Sequence, residues 1–119
     1  FALSSLHYVY EMVRFEQREP PPHLRPIWKQ YTELVEQPPE SHRHLRIHAG
    51  HCTYIVPEEA RFITPELIEA SCMVGSADAL VERMRGLAGA GLGELMLLPS
   101  LETQYRTVED FAVQVMRRL

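Results

Sequence analysis

Residues 74–119 read VGSADALVERMRGLAGAGLGELMLLPSLETQYRTVEDFAVQVMRRL, and the order of apolar and chain-breaking residues along them decides the expected fold. Gly75 breaks the chain, Ser76 is a good N-cap, and Asp78 falls in the first turn, where the helix dipole favours an anion. Ala77, Leu80, Val81, Met84, Leu87 and Ala88 recur at the three-and-four spacing of one buried helical face, with Glu82, Arg83 and Arg85 largely off it. Gly89, Gly91 and Gly93 stop this helix, since glycine tolerates the left-handed cap conformation. Residues 95–98 are an unbroken apolar run closed by Pro99 and Ser100, the pattern of a strand covered on both faces, as in parallel sheets. Thr107 and Asp110 have the Thr-x-x-acid form of a capping box, and Val108, Phe111, Ala112, Val115, Met116 and Leu119 supply the face of a last helix. Helix, glycine turn, buried strand and covering helix predict an α/β unit.

Upstream, residues 2–18 carry Leu3, Leu6, Val9, Tyr10 and Val13 at helical spacing and end at Pro20, Pro21 and Pro22, which cannot continue a helix. Two readings of this helix stand: an aromatic-rich packed helix with a solvated edge, or one whose His7 or Glu11 faces a cofactor pocket. Residues 20–26 read as a polyproline-like linker and residues 27–35 as a second helix, closed by Pro38 and Pro39. In SHRHLRIHAGHCTYI, residues 41–55, Leu45, Ile47 and Ala49 alternate with Arg46 and His48, the period of a strand over residues 45–49, and Gly50 ends it. Residues 57–71 read as a loop entering a short helix, with Thr64 as N-cap and Pro65 at its first position. Glu58, Glu59 and Arg61 read as ordinary loop charges.

The residues GSADALVERMRGLAGAGLGELMLLP resemble the closing segment of the luciferase-like monooxygenase superfamily, and VEDFAVQVMRRL resembles its final helix. The family consists of flavin- or deazaflavin-dependent oxidoreductases built on a (β/α)8 barrel. The HAGH segment, residues 48–51, adds to the resemblance: a subset of the family has a similar His-x-Gly-His at the end of the seventh barrel strand, beside the cofactor. The resemblance implies the C-terminal portion of a (β/α)8 barrel, with residues 1–40 a helical connection and residues 41–119 the last two strand–helix units. Residues 45–49 and 94–98 would be neighbouring parallel strands, joined by a right-handed crossover that contains the helix over 77–88. Arg46 and His48 would face the lumen, with His48 near the C-terminal mouth where such barrels keep their active sites. The match assigns His48, Gly50 and His51 as cofactor-binding positions and FMN or the deazaflavin coenzyme F-420 as cofactor, and names no catalytic residue. A blander reading of His48, as a histidine hydrogen-bonded inside the fold, stands beside it.

At 119 residues the chain is one domain's worth, whereas a complete barrel needs roughly 250. Phe1 in place of methionine agrees with a fragment or processed product, and the resemblance, which puts most of the family's phosphate-binding residues upstream, implies activity only with the missing N-terminal part. The apolar fraction of 45% and charged fraction of 24% are ordinary for a globular protein, and the net charge of −4 argues against a nucleic-acid binder. His42, His44, His48 and His51 match no standard closed zinc set, and Cys52 and Cys72 form no CxxC pair, so no metal is expected. No apolar run approaches the roughly 20 residues of a membrane span and no signal peptide is visible, which makes the cytoplasm the expected location. The expected partners are a small-molecule substrate and the rest of the barrel or a second copy of the chain. The competing reading is a stand-alone α/β interaction or regulatory module working as a dimer.

Overall fold

Buried backbone polar groups must find partners, and in this chain helices supply them within a few residues. The computed structural model describes every residue from Phe1 to Leu119 and contains six α-helices, four short 3-10 helices and no strand. The chain divides into two compact units, Phe1–Cys72 and Met73–Leu119.

In the first unit, α1 (Ala2–Glu16) buries Leu3, Leu6, His7, Tyr10 and Val13 along one face and ends at Gln17 in the left-handed conformation, whose amide donates to the carbonyl of Val13. α2 (Arg25–Val35) has Pro26 in its first turn, where the missing amide proton costs nothing, and buries Tyr31, Leu34 and Val35. α3 (Arg43–Ile47) follows the second proline pair. A 3-10 helix (Pro57–Phe62) then leads to α4 (Pro65–Ser71), where Thr64 Oγ1 accepts from the Leu67 amide at 3.2 Å. The core centres on Tyr31. Its ring meets Phe62 edge-on at 5.3 Å and Tyr10 edge-on at 5.9 Å, with Trp28 at 6.4 Å. Leu6, Leu24, Val35, Ile47 and Leu67 close around this cluster, each at 1% exposure or less. Burying each such side chain contributes about 1.5–3 kcal/mol. Tyr10 Oη donates to Glu36 Oε1 at 3.0 Å, fastening α1 to the end of α2; burial first, and the carboxylate second, push the phenol up to about 12.

The second unit pairs α5 (Ala77–Gly89) with α6 (Gln104–Gln114) and a closing 3-10 helix (Met116–Arg118). Ser76 Oγ accepts from the Ala79 amide at 3.3 Å and Asp78 lies in the first turn, as the sequence predicts. Gly91 takes φ +99°, a value closed to most side chains, and lets the Leu92 amide reach back to the Leu87 carbonyl at 3.0 Å. Val81, Met84 and Val115 are buried, with Met73, Ala77, Leu80 and Phe111 packed against them. Arg118 Nη2 donates to Asp78 Oδ1 at 2.5 Å, tying the chain's last turn to the start of α5.

The expected portion of a (β/α)8 barrel is overturned. Residues 45–49 lie in α3 and the turn after it: the His48 amide donates to the His44 carbonyl at 3.0 Å and the Ala49 amide to the Arg46 carbonyl at 3.2 Å. Three alternating apolar positions are too few to impose a period of two, and the structure buries only Ile47 of Leu45 and Ile47, with Leu45 61% exposed. Helical hydrogen bonds close locally, whereas a strand needs a neighbour. With no first strand, residues 94–98 have nothing to pair with. Residues 93–99 make no backbone hydrogen bond, and Met96 and Leu98 are 87% and 71% exposed. The helix over 77–88 is real, but it crosses over no sheet, and Met84 packs on Val115 rather than on a strand. The capping box expected at Thr107 is also absent. α6 begins three residues earlier, so Thr107 lies inside its first turn and bonds Thr103 instead.

Two outcomes check this description. Leu6→Ala should lower unfolding stability by about 2–5 kcal/mol, while Leu98→Ser should leave it within about 0.5 kcal/mol; urea unfolding of both variants measures this, and a large loss with Leu98→Ser would restore a buried strand. Tyr10 holds its proton more tightly folded than unfolded, where its value is near 10, so its contribution is complete below pH 10 and lost as pH rises toward 12. The urea midpoint should therefore fall above pH 10, with Tyr10 accounting for a slope of up to about 1.4 kcal/mol per pH unit, and Tyr10→Phe should remove that share.

Candidate functional site

Apart from Tyr10 and Tyr31, two residues with titratable side chains are enclosed in this molecule, and they touch each other. His7, 3% exposed on α1, meets Glu59, 0% exposed on the 3-10 helix Pro57–Phe62, through Nε2 and Oε2 at 3.3 Å. The far atom of each, His7 Nδ1 and Glu59 Oε1, is buried without a hydrogen-bond partner. The phenol oxygen of Tyr31 is a third such atom. The Tyr31 ring lies parallel to the His7 imidazole, 6.4 Å away and 11° from coplanar. Burial, and after it the Glu59 charge, holds the Tyr31 hydroxyl protonated far above the ordinary tyrosine range. Leaving a buried polar atom unpaired costs about 1–3 kcal/mol, so the unpaired atoms of the touching His7 and Glu59 mark this pair as the candidate site.

The turn after α3 carries the histidines singled out in the sequence. His51 lies 6.2 Å from His7 between ring centroids, and His48 lies 5.8 Å from His51 in an edge-on arrangement. Both His48 and His51 are exposed. Gly50 sits between them at φ +68°, and a Cβ there would collide with the Tyr54 carbonyl oxygen. The turn itself therefore demands glycine. The Thr53 and Tyr54 amides both donate to the Gly50 carbonyl, at 2.9 and 3.1 Å, which stiffens the loop bearing the two imidazoles. The Cys52 amide donates to Ser4 Oγ at 3.1 Å and pins the same turn to α1.

The structure thus brings His48, Gly50 and His51 together and adds His7 behind them. Of the two α1 residues considered as pocket-facing, His7 is enclosed and Glu11 is exposed. Glu59 is the residue that sequence reasoning missed. Its signal lies in the spacing Val56, Glu59, Phe62: three residues apart, all buried, on the period of a 3-10 helix. His42 and His44 are exposed, and no group of three or more His, Cys, Asp or Glu side chains converges as a metal set would. No helix is long and apolar enough to cross a membrane.

Chemically, the cluster offers a buried carboxylate and a buried imidazole able to share a proton, and two exposed imidazoles able to donate to or accept from a bound oxygen or nitrogen. Comparison of the chain with protein-family models, with curated proteins and with solved structures finds no match.

Removing one member of a buried pair strands the other. Glu59→Ala should cost about 3–5 kcal/mol, whereas the double replacement His7→Leu with Glu59→Met should recover most of that loss. Urea unfolding of the single and double variants measures the coupling, and additive losses would show that the two side chains do not act as a pair.

Proposed function

We propose that this chain is part of a flavin- or deazaflavin-dependent oxidoreductase resembling the luciferase-like monooxygenases, with His48, Gly50 and His51 beside the cofactor. The observation that carries the reading is the pair of exposed imidazoles, 5.8 Å apart on one glycine-closed turn, formed by the HAGH residues that bear the resemblance. Within GSADALVERMRGLAGAGLGELMLLP, the capped helix over residues 77–89, which the structure forms, adds to the resemblance, whereas the strand after it does not form. Barrel architecture does not enter the reading, since the chain has no strand. The cofactor, FMN or coenzyme F-420, supplies hydride transfer or oxygen activation; the protein supplies hydrogen bonds and position. The small-molecule substrate and the rest of the site come from outside these residues, and the chain alone is inactive.

A second reading, an interaction module that works as a dimer, draws on the exposed apolar residues 95–98. Sedimentation of the cofactor-free chain separates the two: a stable dimer with no cofactor affinity favours the module.

Titration of the full-length protein with FMN and with F-420, followed by fluorescence and absorbance, tests the enzyme reading. His48→Ala and His51→Ala should each weaken cofactor binding by about 1–3 kcal/mol, or roughly fivefold to over a hundredfold, with an unchanged melting temperature. Failure of both cofactors to bind, or wild-type affinity in both variants, overturns it.

A further inference from the structure

An imidazole is bifunctional, and a histidine kept only for packing fills both of its ring nitrogens or leaves one in water. His7 does neither. Nε2 is engaged by Glu59 and Nδ1 is enclosed and empty, while the outer oxygen of Glu59 is empty as well. The neighbouring ring of His51 is exposed and lies 6.2 Å away between centroids, so an imidazole open to solvent stands beside the enclosed one. We infer that His51 passes protons between solvent and the buried His7–Glu59 pair, so that the three side chains form an acid–base relay through the first unit.

The step balances without any further reactant. A protonated His51 gives its proton, through water, to His7 Nδ1, which makes His7 an imidazolium. His7 then releases its Nε2 proton to Glu59 Oε2. Glu59 becomes the neutral acid, His7 is left as the Nδ1–H tautomer, and His51 takes a new proton from solvent. The reverse sequence empties Glu59. Exchange of this kind needs the outer nitrogen of His7 to be free of any other partner, and His7 Nδ1 is such an atom.

The groups that face the pair from the packed elements are Tyr31 of α2, stacked on His7, and His51 of the turn. Tyr10 and Glu11 of α1 and Arg46 of α3 act electrostatically on Tyr31 and complete the surroundings. Tyr31 is no rival outlet, because its ring is 0% exposed and its hydroxyl is held protonated. His48, at 5.8 Å from His51, extends the exposed end. The relay is independent of the flavin reading: it operates in the cofactor-free chain, so a failure of cofactor binding leaves it standing and its own failure leaves cofactor binding untouched.

Nuclear magnetic resonance of the cofactor-free protein with 15N-labelled histidine tests it through the exchange of the His7 ring proton with water. His51→Gln keeps a side chain of similar reach that cannot carry a proton. It should slow that exchange by about tenfold or more, while His44→Gln, at an exposed imidazole outside the cluster, should leave it unchanged. An unchanged or faster exchange in His51→Gln overturns the relay, because a side chain that merely covers His7 would admit water when altered. His51 is exposed, so the variant folds; its melting temperature, matched to the wild type, confirms that the rate difference is not one of opening.

Discussion

The burial of Tyr31 is the interaction on which the first unit depends. Its ring is the meeting point of α1, α2 and the 3-10 helix, through edge-on contacts with Tyr10 and Phe62 and a parallel contact with His7. Edge-to-face aromatic pairs gain from ring quadrupoles beyond the area they cover, and they fix the angles at which the helices approach. The same contact determines the polar chemistry. A tyrosine enclosed to this degree covers one face of His7, and burial is what gives an imidazole–carboxylate pair its strength and its cost.

A helical protein with short elements has few ways to hold them. α3 has five residues and α4 seven, too short to be stable alone. Prolines and caps do the holding: Pro26 and Pro65 start helices at no loss, Thr64 and Ser76 satisfy free amides, and Pro39 directs the chain into the turn before α3. The rigid loop of residues 48–54 then follows from Gly50, whose carbonyl accepts from both Thr53 and Tyr54. Thus the positions of His48 and His51 trace to one glycine and one helix end.

The second unit carries an energetic liability in residues 92–101. Leu92, Leu95, Met96, Leu98 and Leu101 are all exposed. An apolar run of that length with unpaired backbone is costly to leave in water. The helices on either side hold together through Val81, Met84 and Val115, a far smaller core than that of the first unit, supplemented by the Arg118–Asp78 pair.

Elements that close on their own hydrogen bonds were legible in the sequence. α1, α2, α4 and α5 lie where apolar spacing, prolines and caps place them, because those signals act within one turn of helix. His48, Gly50 and His51 were legible as neighbours for the same reason, since a glycine turn brings them together locally. The strands were not there to be read. A run such as LMLL is equally apolar whether or not another strand lies beside it, and only tertiary structure supplies the partner; here none exists and the run stays unpaired. The buried pair was hidden by the same limit. His7 and Glu59 are 52 residues apart, and the spacing of Val56, Glu59 and Phe62 points inward only once PEEARF is known to form a 3-10 helix packed on α1 and α2. Local sequence determined α1, α2, α4 and α5 and the caps Thr64 and Ser76, but not α3, read as a strand, nor the start of α6; the meeting of α1 with the 3-10 helix around Tyr31 decided that one imidazole and one carboxylate would share the interior, because burial is a property of what packs on a residue and not of the residues beside it in the chain.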